Sequence, residues 1–170
     1  MKRYKSATIL SIIFLIGMQG LMAQNAKFGH INSDELIQAM PEYDSAKVHL
    51  EKFRLELLNY LESLSDELNT KYETLNKESK NLRPAIKQIK EQELYDLNSR
   101  IQEFQMTAQN QLEETQTELF QPIYAKVERA INEVGKEYGY LYIFNTSQGE
   151  LLYFDESKST NVSAFVKAKL

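Results

Sequence analysis

Asn81-Leu82-Arg83-Pro84 (NLRP) divides the longest patterned region of this chain into two. Up to Leu82 within it, Leu50, Phe53, Leu57, Leu61, Leu64, Leu68, Tyr72, Leu75 and Leu82 recur at steps of three, four or seven. After it, Ile86, Ile89, Leu94, Leu97, Ile101, Phe104, Ala108, Leu112, Leu119, Ile123, Val127, Ile131 and Val134 continue in much the same way. That spacing marks the apolar stripe of an amphipathic helix. Neither stretch alternates like a strand, and neither is apolar all round as a membrane-spanning helix would be. Proline disfavours helical geometry at the residue before it and suits the first turn of a helix, so Arg83-Pro84 ends one helix and begins the next. Two long amphipathic helices joined by so short a break predict an antiparallel hairpin packed seam to seam as a coiled coil. The arm is expected over residues 45–124 with its tip near 81–85. Each helix of about 35 residues would reach about 50 Å.

Outward from the hairpin the pattern changes. Lys27 to Asn32 (KFGHIN) reads as a short strand. Ser33 or Asp34 is expected to cap a short helix carrying Leu36, Ile37 and Met40, and Pro41 suits the start of the first long helix. Pro122 cannot donate to the carbonyl of Glu118 and is expected to bend the second helix where it enters a body. Beyond Gly139, Tyr140 to Phe144 (YLYIF) and Leu151 to Phe154 (LLYF) flank the turn-like Asn145 to Gly149 (NTSQG) and predict a β-hairpin. Val162, Phe165, Val166 and Leu170 fall at helical spacing, so Ser159 to Leu170 reads as a closing helix. The expected class is α+β, with a helical hairpin on a small β body made of residues 27–44 and 125–170.

The first 23 residues read as a secretory signal peptide. Lys2, Arg3 and Lys5 precede a mostly apolar run from Ala7 to Met18, and Leu21-Met22-Ala23 offers a small residue before a cut. The run is shorter than the roughly 20 residues a membrane span needs. Cleavage removes three basic residues and leaves 147 residues with the net charge moved from −4 to −7. A chain that acidic is not expected to bind nucleic acid. With no Cys there is no lipid-anchored cysteine and no disulfide, although export would permit one.

The expected body has only 64 residues. Bodies below about 70–80 residues rarely bury enough core without staples. Three visible strands in an open sheet also leave two unpaired edges. YLYIF and LLYF are apolar on both faces and ask for cover on both sides. Together these features predict an oligomer, without fixing the number of subunits.

The order of strand, short helix, Met40-Pro41-Glu42-Tyr43, helical hairpin and aromatic strands closely resembles the Skp/OmpH family of periplasmic chaperones. Pro122 to Tyr153 (PIYAKVERAINEVGKEYGYLYIFNTSQGELLY) is the most specific block, and the resemblance covers essentially Lys27 to Leu170. It implies a single domain over residues 24–170 and a jellyfish-like homotrimer whose strands join in a central β body. The resemblance further implies that three arms enclose a cavity holding unfolded outer-membrane β-barrel proteins, without nucleotide. The best-known members are strongly basic, and this chain departs from them with its acidic balance.

Charge along the arm is uneven. Lys71, Lys77, Lys80, Arg83, Lys87 and Lys90 are opposed only by Glu73 and Glu78, so residues 71–90 carry +4 while residues 91–120 carry −6. The tip cations are expected to contact acidic clients, or transiently a membrane or lipopolysaccharide headgroup; the alternative is an ordinary solvated charge run. At 100° per residue, Leu55, Leu58, Tyr95, Met106 and Phe120 fall off the apolar stripe and are expected to face clients, although isolated exposed apolar residues are also common. No catalytic chemistry is expected. His30 and His49 have no ligand spacing, and the chain has no phosphate-binding glycine loop and no nucleophile signature. No metal or cofactor is therefore expected. The competing expectation is a structural coiled-coil adaptor in the periplasm with one folded partner.

Overall fold

The computed structural model describes residues 26–147, 149 and 151–170; the expected signal peptide lies outside them. Strand β1 (Phe28–Ile31) leads into a short helix α1 (Ser33–Gln38). Two long helices follow, α2 (Pro41–Glu78) and α3 (Pro84–Tyr138). Strand β2 (Tyr142–Asn145), a 3-10 turn at Glu156–Lys158, strand β3 (Ser159–Asn161) and helix α4 (Ser163–Lys167) complete the chain.

The caps explain these boundaries. Asn32, not Ser33 or Asp34, caps α1: its side-chain oxygen accepts from the Glu35 N–H at 3.1 Å. Pro41 and Pro84 each sit in the first turn of a long helix, after an extended Met40 and Arg83. Helix α3 ends at Gly139, which is left-handed at φ 67° and donates its N–H to the Gly135 carbonyl. Lys27 Nζ donates to the Tyr138 carbonyl at 3.0 Å and lies 4.3 Å from the Tyr140 ring centroid, covering that end of α3. Pro122 lies within an unbroken α3, between the buried Phe120 and Ile123.

Helices α2 and α3 lie against each other along their length. Lys126 Nζ meets Glu42 at 2.8 Å, the Tyr43 and Phe120 rings meet edge to face at 5.3 Å, and Arg100 donates to the Tyr60 hydroxyl at 2.7 Å. Nearer the turn, Lys71 meets Glu93 at 3.5 Å and Lys90 meets Glu78 at 3.3 Å. Each step forward along α2 therefore meets a partner further back on α3.

The sheet has the order β2-β1-β3 and is wholly parallel. Phe28 pairs with Tyr142 on one side and with Ser159 on the other. This overturns the expected hairpin: residues 151–155 form no strand, and the third strand comes from what reads as the start of the closing helix. Packing supplies the reason. Val162 and Val166, just beyond β3, are fully buried with Ile31 and Val134, and this burial draws β3 to the far side of β1. With β2 and β3 on opposite sides of β1, no strand after β2 pairs with it as a hairpin among the described residues. Gly29 makes the approach possible, because a Cβ there would lie 3.0 Å from Val162 Cγ1 and 3.2 Å from Ile143 Cγ1.

The main core sits where α1, α4 and the sheet meet the ends of α2 and α3 nearest the body. A second, small cluster holds the middle of the two long helices, formed by Leu64, Leu97 and Ile101 with Leu61, Leu68 and Phe104 around them.

Candidate functional site

The turn joining the long helices (Ser79–Arg83) gathers the six expected cations, but it uses them unequally. The seam of α2 advances Leu64, Leu68, Lys71, Leu75, and that of α3 runs Lys90, Leu94, Leu97, Ile101. These are steps of four and three, so Lys71 and Lys90 occupy seam positions. Their methylene stems lie between the helices while their ammonium groups reach across to Glu93 and Glu78. Lys77 and Lys87 pair within their own helices, with Glu73 at 3.5 Å and Glu91 at 3.7 Å. Among the described residues, Lys80 and Arg83 have no ion-pair partner, and both are exposed. The remaining pairs are surface pairs worth about 0–1 kcal/mol each.

Tyr72, Ile86 and Ile89, expected in the seam, stand in solvent at 57%, 44% and 56% exposure. The seam takes Lys71 and Lys90, one position from Tyr72 and Ile89, which rotates those two residues outward by about 100°. The three stand within a few turns of Lys80 and Arg83. A strict count of heptads through the lysines would have found them in the sequence.

Of the five apolar residues expected off the seam, four are exposed: Leu55, Leu58, Tyr95 and Met106. Leu58 lines a shallow groove of about 210 Å³ between the helices, with Leu57, Leu61, Phe104, Ala108 and Leu112. The small Ala108 leaves that space open. Leu55, Tyr95 and Met106 stand clear of the seam.

Phe120 corrects the expectation. It is 7% exposed and packs in the main core against Tyr43. The buried face of α3 widens here: Ile123, Val127 and Val134 continue the half-buried line of Leu112 and Leu119, and Phe120 and Ala130 join it. From this point α3 packs against α1 and α4 as well as α2, so a stripe projected from the arm no longer describes it.

A further exposed apolar surface lies on the sheet. Gly29, Ile31 and Ile143 face the helices, while Phe28, Tyr142 and Phe144 stack on the opposite face with ring centroids 5.9–6.3 Å apart. His30 Nδ1 and Ser159 Oγ share a hydrogen bond of 2.9 Å beneath the Phe154 ring. Leu141 and Tyr142 keep 59% and 58% of their surface in solvent, Leu152 96% and Tyr153 83%. The stacked aromatic face of Phe28, Tyr142 and Phe144 is the kind of exposed apolar surface that marks interaction sites.

Among the described residues no polar or charged side chain is buried, and no group of three or more His, Cys, Asp and Glu could hold a metal ion. No described helix is long and apolar enough to cross a membrane. The shifted carboxylates have local causes: Lys126 bonding holds Glu42 low, Arg54 does the same for Glu51, and Ser157 for Asp155.

Residues 27–170 match the family described as outer membrane protein (OmpH-like). The chain belongs to the OmpH-like family. This OmpH-like chain is also similar to the crystal structure of a candidate outer membrane chaperone (OmpH-like) from Caulobacter crescentus CB15. The TM-score is 0.71 at 10% identity, over 84% of this chain and 82% of that one. At that identity the likeness is one of fold. No curated protein matches the OmpH-like chain.

Proposed function

We propose that this protein is an ATP-independent holding chaperone of the periplasm, which keeps unfolded outer-membrane β-barrel proteins from aggregating. In this reading the signal peptide is removed on export, and three copies join through their sheets. α2 and α3 form an antiparallel coiled-coil arm, and three such arms surround the client. Family membership supports the reading, as does the name of the similar solved structure.

The observation that carries it is the arm surface: Leu55, Leu58, Tyr95 and Met106 stand in water along two long paired helices. Each contact is weak, but weak contacts repeated over three arms act at high effective concentration and need no shared client sequence. Lys80 and Arg83 at the tip add a site for acidic clients or anionic headgroups. The aromatic sheet face of Phe28, Tyr142 and Phe144 supports the oligomer. The adaptor reading needs a tightly packed, rigid arm. Here no residue of α2 from Lys47 to Ser63 is buried, nor any of α3 from Gln102 to Leu119, which favours a pliable arm.

The test is to dilute a urea-unfolded outer-membrane β-barrel into buffer containing purified Gln24–Leu170, without ATP, and follow light scattering. Suppressed aggregation saturating near one trimer per client is expected. Unsuppressed aggregation from a folded trimer would overturn the chaperone reading and favour the adaptor.

A further inference from the structure

The shallow groove between α2 and α3 stands open where the seam of a coiled coil is normally closed by interdigitating side chains. Its floor is the seam itself: Leu57, Leu61, Phe104 and Leu112 are half-buried, and Ala108 is too small to fill its position. The exposed Leu58 forms one wall, and Arg54, Gln105 and Gln109 form the rim. The space is about 210 Å³. That is the volume of about seven water molecules, which is room for one bulky side chain.

The charges beside the groove select its occupant. Arg54 is held by Glu51 through two bonds of 2.7 and 2.9 Å, so its charge is engaged within α2. Glu62 follows Leu58 by one turn, and Glu113 follows Gln109 by one turn and accepts from its Nε2 at 3.4 Å. Both carboxylates are exposed, and among the described residues neither has an ion-pair partner. They stand at opposite ends of the groove. Tyr60 meets both Arg100 and Phe104, which sets Glu62 level with that part of α3. Glu113 lies about ten positions further along the helix, or about 15 Å. An extended chain covers that length in about four to five residues.

We infer that the groove seats an extended segment of an unfolded client with the pattern basic–x–apolar–x–basic. Alternate residues share one face of an extended chain. The central side chain enters the hollow over Ala108, while the flanking cations meet Glu62 and Glu113. This rests on the holding function proposed above and names the client segments that the arm shaft prefers. Shaft and tip then read opposite charges, since Lys80 and Arg83 present cations.

The probe is the peptide Lys-Thr-Phe-Thr-Lys carrying a neutral dye, titrated into purified Gln24–Leu170 and followed by fluorescence anisotropy. Binding is expected at low salt and should weaken as salt rises. The peptide Glu-Thr-Phe-Thr-Glu should bind at least about tenfold more weakly. Ala108→Leu is expected to fill the hollow and abolish binding, with the melting temperature equal or higher. Glu62→Gln/Glu113→Gln changes only exposed side chains and should weaken binding about fivefold at low salt, with melting unchanged. Equal binding of the two peptides, or unchanged binding by either variant, would overturn the inference. Association of the unmodified protein into species larger than a trimer at low salt, lost in Ala108→Leu, would place the tip of a second copy in the groove and overturn the client assignment. If the peptide fails to bind while aggregation of an unfolded β-barrel is still suppressed, the groove assignment is wrong and the holding function stands. If the peptide binds as expected but aggregation is not suppressed, the groove assignment stands and the holding function falls.

Discussion

Phe120 and Met106 lie on the same helix only fourteen positions apart, and their surroundings give them opposite roles. Phe120 is in the core against Tyr43, whereas Met106 is 63% exposed. Phe120→Ala should therefore cost about 3–5 kcal/mol, read as a lower midpoint in urea unfolding. Met106→Ser should leave that midpoint within about 0.5 kcal/mol and reduce only the suppression of client aggregation. Equal loss of stability in both variants would refute the assignment. Glu42 gives a pH-dependent example at the same scale. Its bond to Lys126 holds the folded carboxyl below the ordinary value of 4.5, so the tie contributes stability above that value and loses it as pH falls through the lowered one. Glu42→Gln is expected to lower the melting temperature slightly at neutral pH, and the gap from the unmodified protein should close in acid. A gap that widens in acid would show that the bond does not form in solution.

At the scale of elements, the long helices were readable because an amphipathic repeat sustained over many turns has few alternatives, and because proline marks where each begins. The sheet was harder. YLYIF and LLYF satisfy every local rule for a hairpin, yet the second partner of β1, beside β2, is Ser159–Asn161, a polar trio with no strand signature. Long-range packing of Val162 and Val166 selects it, and no local pattern carries that information. The seam at the tip was missed for a related reason: an apolar count passes over Lys71 and Lys90, whose stems do the packing while their charges pair across the helices. The tip cations therefore separate into two groups. Lys80→Gln/Arg83→Gln should weaken client capture at low salt and flatten its salt dependence, with melting unchanged. Lys71→Gln/Lys90→Gln should lower the melting of the arm and affect capture less. If both pairs of substitutions affect capture alike, the cations act as one diffuse charge and the division fails.

For the whole molecule, β1 stands near one end of the described chain and its partners β2 and β3 near the other, with the two long helices between. The hydrogen bond from Lys27 to the Tyr138 carbonyl spans 111 positions of sequence. Contacts this remote are slow to form because a long loop must close before they give any return. The arm changes that cost. Its turn is local, and zipping α2 onto α3 from the tip brings Glu42 and Lys126 together, and with them the two ends of the body, without a search. Replacing an open loop of more than a hundred residues by one of about ten lowers the closure cost by about 2 kcal/mol. The paired helices are thus expected to serve as a splint in the folding of their own body, with the sheet closing after the arm, because β1 has no partner until β2 and β3 have been made.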